Sequence, residues 1–149
     1  MATKNEKEIF MPYKKSALYG GQGGSDFSDD LTQTARIVSI SIRHGSRVDS
    51  IQTTWLLTDG SQLIGKLHGG SGGKEDVIQF AADEHVVTIQ GRSGSRVDSL
   101  TITTNKKSYG PYGGDGGESF GPIPAERAGG FFGRSGSELD AIGVFIPAE

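Results

Sequence analysis

The 149-residue chain contains no cysteine, which removes disulfides, thiolate zinc sites, iron–sulfur clusters and cysteine nucleophiles together. Long apolar runs are missing too. None approaches the roughly 20 residues of a membrane span, and the opening MATKNEKEIFMPYKKSALYG has no apolar stretch of the length a secretory signal needs. No membrane insertion is expected, and the expected location is cytoplasmic or, by a non-classical route, outside the cell. Charge of one sign is scarce: 15 Lys and Arg stand against 18 Asp and Glu. The clustered cations that drive binding to phosphate backbones are therefore lacking, and nucleic acid is not an expected partner. Apolar side chains make up only 34%, below a globular average of about 45–50% that also counts glycine. Twenty-four glycines close that gap, so the deficit reflects structural glycine rather than disorder. The length fits one domain.

The glycines are patterned. Three clusters read GGxGG: Gly20 to Gly24, Gly69 to Gly73 and Gly113 to Gly117. Each is followed by GSxxD: Gly45-Ser46-Arg47-Val48-Asp49, Gly94-Ser95-Arg96-Val97-Asp98 and Gly136-Ser137-Glu138-Leu139-Asp140. The first glycines of the two patterns lie 25, 25 and 23 residues apart, and successive clusters 49 and 44 residues apart. The chain is thus three units of one supersecondary design. Residues 1–16 stand before the repeats and read as a loosely held extension, leaving 17–149 as a single domain.

Within a unit the apolar period is two, as where Leu100 and Ile102 alternate with Ser99, Thr101 and Thr103, the mark of half-buried strands. Helical periodicity is absent. Two residues beyond each aspartate stand Ile51, Leu100 and Ile142, so parity assigns the aspartate to the core-facing side at the start of a strand. An unpaired charge cannot sit deep in a core; the carboxylates are expected at the rim, where a GS turn closes a hairpin. Three similar antiparallel sheets related by pseudo-threefold symmetry follow.

A glycine-rich loop suggests phosphate, but that reading fails. A P-loop needs GK[ST] opening a helix, whereas Gly73 and Lys74 run into Glu75; a dinucleotide fingerprint needs a βαβ unit. A turn with free backbone N–H groups beside one carboxylate can instead grip a ring bearing adjacent hydroxyls. The carboxylate accepts from two O–H groups and the N–H groups donate back, each charge-assisted bond contributing about 1.5–3 kcal/mol. Sugar is the matched ligand.

These motifs, with the stretches TNKKSYGPYGGDGG, FFGRSGSELDAIGVFI and YGGQGGSDF, resemble the jacalin-related lectins, particularly their mannose-binding branch, over about residues 18–147. The resemblance implies an all-β, β-prism I fold of three four-stranded antiparallel sheets, with no metal, no cofactor and no catalytic residue. It implies sugar sites where the turn of one repeat meets the glycine loop of the next: Ser137, Glu138, Leu139 and Asp140 with Gly24; Ser46, Arg47, Val48 and Asp49 with Gly73; Ser95, Arg96, Val97 and Asp98 with Gly117. Most plant members keep one or two complete motifs, and here all three match. Algal members carry a tyrosine at the second turn position, where this chain has Arg47, Arg96 and Glu138, so their platform for a second sugar is missing. Tyr19 precedes the first cluster without the processed N-terminus of galactose-binding members, which favours mannose and glucose. The expected partners are glycans and glycoproteins carrying these sugars, and further copies of the chain as a dimer or higher homo-oligomer.

An arginine folding back on its own aspartate would compete with sugar at Asp49 and Asp98, while Glu138 cannot, so the Asp140 site is expected to bind at least as tightly as the others. Two other classes stay in view: a glycan-acting enzyme, which needs two carboxylates about 5–10 Å apart, and a structural, oligomer-forming β repeat protein. GSxxD alone is also a good hairpin turn, and GGxGG suits a crossing where no side chain fits. His44, His68 and His85 lack metal-ligand spacing and read as solvated or satisfied loop residues. Trp55 reads as core or subunit contact, Lys106 and Lys107 as a solvated turn.

Overall fold

The computed structural model describes residues 13–148, which contain strands and turns and no helix. In chain order the strands are β1 (Tyr13–Lys15), β2 (Tyr19–Gly20), β3 (Ser25–Ser28), β4 (Thr34–His44), β5 (Val48–Leu57), β6 (Gln62–Ile64) and β7 (His68–Gly69). They continue as β8 (Lys74–Gln79), β9 (Val86–Ser93), β10 (Val97–Thr104), β11 (Ser108–Gly113), β12 (Glu118–Pro124), β13 (Gly130–Ser135) and β14 (Leu139–Pro147).

All pairings are antiparallel and fall into three sheets with one strand order. Sheet 1 runs β1-β14-β13-β3 with β2 also on β14; sheet 2 runs β6-β5-β4-β8 with β7 also on β5; sheet 3 runs β11-β10-β9-β12. Each sheet has four strand positions, as expected, but in sheets 1 and 2 the outer position is divided between two short strands. In sheets 2 and 3 three hairpin-linked strands are followed by a fourth that returns beside the first, which is a Greek key. Sheet 1 takes its outer strands and β3 from the beginning of the described chain and its hairpin from the end. The reading of 1–16 as a loose extension needs correction in part. Residues 1–12 lie outside the described residues, whereas Tyr13–Lys15 pair with Pro147–Phe145 in sheet 1.

Alternation builds the core. In β10, Leu100, Ile102 and Thr104 are buried while Thr101 and Thr103 are half-exposed, and parts of β4 and β5 do the same; in β13 and β14, Gly130–Gly133 and Leu139–Val144 are buried without a break. Ile40, Ile42, Ile51, Leu100, Ile102, Leu139 and Ile142 are fully excluded from solvent, each contributing about 1.5–3 kcal/mol of hydrophobic stabilisation. Trp55 belongs to this core, 2% exposed, with its indole N–H donating to the Gly129 carbonyl at 2.8 Å.

The seams between sheets are aromatic. Tyr19, His68 and Tyr112 each stand directly before a glycine pair. Tyr19 stacks on Phe120 and His68 on Phe27, with centroids 4.7 and 3.9 Å apart. The third seam departs from this. Tyr112 tilts against His44, whose Nδ1 accepts from the Gly113 N–H and whose Nε2 faces Asp76 at 2.7 Å. His68 likewise faces Asp29 at 2.9 Å. These two histidines are therefore inter-sheet strand residues, not loop residues; only His85, paired with Glu126 at 2.8 Å, fits that description.

Candidate functional site

Each motif aspartate is the extra residue of a β-bulge. In sheet 2, His44 pairs with Val48 and Arg43 with Ser50, so Asp49 has no partner across the hairpin. Asp98 is skipped between Val97 and Ser99, and Asp140 between Leu139 and Ala141. A bulge releases its extra residue from the two-residue alternation. Assigning the aspartates to the core-facing parity is thus incorrect: Val48 and Ser50 on either side are both buried, and the carboxylate is turned out of the ladder toward the end of the sheet. Val48, Val97 and Leu139 have no exposed surface. Their side chains anchor the turn and do not reach its outer face.

The glycine loops arch over these bulges for a topological reason. Each joins the outer strand of a sheet to the opposite edge, β2 to β3, β7 to β8 and β11 to β12, and so crosses the end of its own hairpin. The arch lies close on the carboxylate. A Cβ added at Gly24 would fall 2.8 Å from Asp140 Oδ1, at Gly73 2.6 Å from Asp49 Oδ2, and at Gly117 2.7 Å from Asp98 Oδ1. These three glycines have φ of 69°, 70° and 70°, a left-handed conformation that side chains resist. The expected pairs of turn and loop are all brought together.

The second glycine of each cluster meets a different sheet. Gly21 packs on the Ser95 carbonyl, Gly70 on that of Ser137 and Gly114 on that of Ser46, each too close for a Cβ. Every arch therefore rests on its own aspartate and on the neighbouring sheet's turn, and the three contacts close a ring.

Three arginines clamp the arches. Arg43 donates from Nε to the Gly72 carbonyl and from Nη2 to that of Gly73, at 3.0 and 2.9 Å. Arg92 donates to the carbonyls of Asp115, Gly116 and Gly117 at 2.7–3.1 Å. Arg134 reaches those of Gly23 and Gly24 at 2.9 and 2.8 Å. Sequence reasoning missed them, although the signal is visible: each motif is preceded two residues earlier by Arg, as RxGSxxD.

What remains open is a donor–acceptor pattern. Within each turn the glycine N–H donates to the carbonyl two residues on, at 2.9 Å in all three copies. Among the described residues no hydrogen bond engages the N–H groups of Ser46, Arg47, Ser95, Arg96, Ser137 or Glu138. The carboxylates of Asp49 and Asp98 also have no hydrogen-bond partner there, and their oxygens are not sealed from solvent. Two free donors thus lie beside a carboxylate under a glycine arch three times over; at Asp49 and Asp98 that acceptor is unpaired, whereas Asp140 is buried, 6% exposed.

A family model described as Jacalin-like lectin domain matches residues 16–145. The chain belongs to that family. Among similar proteins, this lectin domain is 38% identical over 143 residues to "Jacalin-related lectin 3" of Arabidopsis thaliana, covering 88% of the chain and 24% of that protein. The chain spans less than a third of the length of the curated relatives it matches. Two solved structures superimpose closely. A mannose-binding jacalin-related lectin from Ananas comosus gives a TM-score of 0.82 at 33% identity, covering 91% of this chain and 99% of that one. Malaysian banana lectin gives 0.81 at 33%, covering 92% and 99%. The sheets are those of the β-prism I fold.

Within this lectin domain the second turn positions meet in an ion cluster. Arg47 grips Glu138 through Nε and Nη2, at 2.6 and 3.1 Å, and Arg96 Nη1 lies 3.2 Å from the same carboxylate. Arg96 Nε is also 3.4 Å from Asp140 Oδ2. This overturns the expected arrangement: neither arginine folds onto its own aspartate, and the carboxylate facing a cation is Asp140. The Arg47 hydrogen bond, aided by Arg96, holds the Glu138 carboxyl below the usual glutamate range. Burial, reinforced by the Glu138 charge, pushes the Asp49 carboxyl up despite Arg43, Arg47 and His44 nearby.

The described residues contain no cluster of three or more His, Asp and Glu side chains placed to hold a metal ion. Lys106 and Lys107 lie in the expected turn, Lys106 on Asp83 at 3.0 Å and Lys107 over the Tyr109 ring.

Proposed function

We propose that this domain binds the hexoses of mannose- and glucose-type glycans, without metal and without altering them, at three sites: Ser46, Arg47 and Asp49 under Gly73; Ser95, Arg96 and Asp98 under Gly117; Ser137, Glu138 and Asp140 under Gly24. The observation that carries the reading is a carboxylate on a bulge, beside two unpaired backbone donors and beneath an arch with no side chain in the way, with the carboxylates of Asp49 and Asp98 unpaired and that of Asp140 facing Arg96. Two hydroxyls of a pyranose donate to the carboxylate, and the N–H groups return bonds to the same oxygens. The side chains at the second turn positions do not touch the ring in this scheme. Support also comes from the Ananas comosus relative, which is described as mannose binding.

One shallow site of this kind gives a dissociation constant near millimolar, about −4 kcal/mol. Three sites at one end of a chain raise avidity for a branched mannan by about 10²–10⁴, and dimer or higher assembly multiplies them again. Titration with methyl α-mannoside in the presence and absence of EDTA tests the proposal. Equal binding in both, approaching three sugars per chain, with no sugar released from mannan, is expected. Binding lost on chelation removes the metal-free scheme, and one sugar per chain removes the three-site scheme.

A further inference from the structure

At the end of the sheets away from the glycine arches, a second pocket repeats the threefold pattern with a different chemistry. Arg36, His85 and Arg127 each stand nine residues before a motif glycine, Gly45, Gly94 and Gly136. They are the same position of the three repeats, and in each the residue is basic. A single cavity of about 130 Å³ touches all three. Arg36 lies near the start of β4, eight residues along the strand from His44, which puts it roughly 25 Å from the sugar-binding end.

The two arginines here are not paired off. Arg36 Nη1 is buried without a hydrogen-bond partner. Among the described residues, neither Arg36 nor Arg127 forms an ion pair. A guanidinium nitrogen withdrawn from water with nothing to donate to is costly. Arg127 has φ 59° and is the single non-glycine residue described with positive φ, a conformation that needs a compensating reason. Its backbone N–H is fastened to the Val86 carbonyl at 2.8 Å, which holds the residue at the cavity. One acid lines the wall, Glu84, and its oxygens are already committed. Oε1 accepts from the Ala81 N–H, and Oε2 from the hydroxyls of Thr104 and Tyr109. The other nearby carboxylate, Glu126, is engaged by His85.

The geometry points to an anion site: Arg36 and Arg127, with His85 beside them already held on Glu126, bind a single tetrahedral oxyanion, the phosphate or sulfate class, at the opposite end of the domain from the hexose sites. The size agrees. A cavity of about 130 Å³ has room for one such group. Donors that fork in a plane and carry fixed charge suit oxyanions in particular. The group belongs either to a free ion or to a monoester whose carbon stays outside the cavity mouth.

The test is titration of the intact chain with sodium phosphate, and separately with O-phosphoserine, at ionic strength held constant with sodium chloride, reading arginine side-chain NMR resonances and the thermal midpoint. Saturable shifts of the Arg36 and Arg127 Nε–H signals and a rise in midpoint are expected with phosphate. A response to phosphate alone assigns a free-ion site; a response to both assigns a monoester site. Arg127→Gln removes an exposed side chain outside the core and is expected to weaken the response about tenfold while leaving methyl α-mannoside binding unchanged. Arg36→Gln is expected to do the same if it folds; Arg127→Gln decides the matter alone if it does not. Phosphate acting no more strongly than chloride, or equally on wild type and Arg127→Gln, overturns the assignment.

Discussion

The Arg96 guanidinium lies 3.4 Å from the Asp140 carboxylate although the two residues belong to different sheets and different sites. The hexose hydroxyls must share that carboxylate with a cation, whereas Asp49 and Asp98 carry no such contact. The Asp140 site is therefore expected to be the weakest of the three. Arg96→Ala keeps the backbone donor of its own site and should tighten the Asp140 site about two- to fivefold, the worth of a partly exposed ion pair, with the Asp98 site unchanged. Site-resolved NMR titration with methyl α-mannoside checks this, and added salt should narrow the same gap.

Replacing each motif aspartate by alanine removes the charged acceptor and leaves the backbone donors. A loss of about 2–3 kcal/mol is expected at the altered site, enough to silence millimolar binding there while the other two continue. Stoichiometry by calorimetry should fall by one for each of Asp49→Ala, Asp98→Ala and Asp140→Ala.

Acid should separate the sites. Folding raises the Asp49 pKa, chiefly through burial, so the native chain takes up this proton more readily than the unfolded chain. The ionised carboxylate costs stability at neutral pH, a cost relieved as pH falls through the raised value. The sugar scheme needs the ionised form, so hexose at the Asp49 site should be released on acidification above the ordinary aspartate range. Carboxyl-carbon NMR titration with and without sugar measures it, and sugar should lower the apparent value.

Glu138 works in the opposite sense. Its pKa is depressed in the fold by Arg47 first and Arg96 second, so its contribution to stability is complete above the ordinary glutamate value and disappears as pH falls through the lower folded one. Glu138→Gln should flatten that part of the acid limb of the stability curve, followed by thermal midpoints between pH 3 and 7.

The arch needs both its bare glycine and its clamp. Gly117→Ala places a Cβ 2.5 Å from the Ser93 carbonyl at positive φ and should cost about 1–3 kcal/mol of stability, read by denaturant unfolding, together with sugar binding at Asp98. Arg92→Met leaves the arch without its carbonyl ligands and should weaken that site alone, with little change in the midpoint.

Repeat spacing made the fold and the pairing of each turn with its loop legible, because a 23- to 25-residue interval repeated three times leaves few ways to thread antiparallel strands. The bulges were not legible. Parity counts residues, and Asp49 drops out of the count only once His44 is seen to pair with Val48. The Arg96–Asp140 contact was hidden for a different reason: it depends on which way a long side chain leans between sheets, and spacing along the chain carries no information about that. Arg43, Arg92 and Arg134 were within reach, since their position repeats as regularly as the aspartates, but arginine beside a turn has so many uses that its role appears only when the arch lies over it. The strand at Tyr13–Lys15 shows no alternation to read; β14 recruits it by offering an edge.

That recruitment has a consequence for the order in which the sites come into being. Sheets 2 and 3 are whole within residues 34–79 and 86–124, but sheet 1 waits for Tyr13 to meet Pro147, and contacts so distant in sequence form slowly. On a ribosome, the hairpin of the Asp49 site emerges first and that of the Asp98 site second, but the Asp49 arch gains its second support only when the Ser137 turn arrives, since Gly70 packs on that carbonyl. The Asp140 hairpin emerges after both and must find β1, β2 and β3, which precede sheets 2 and 3 in the chain, so its arrival completes its own site, seats the Asp49 arch and closes the prism together.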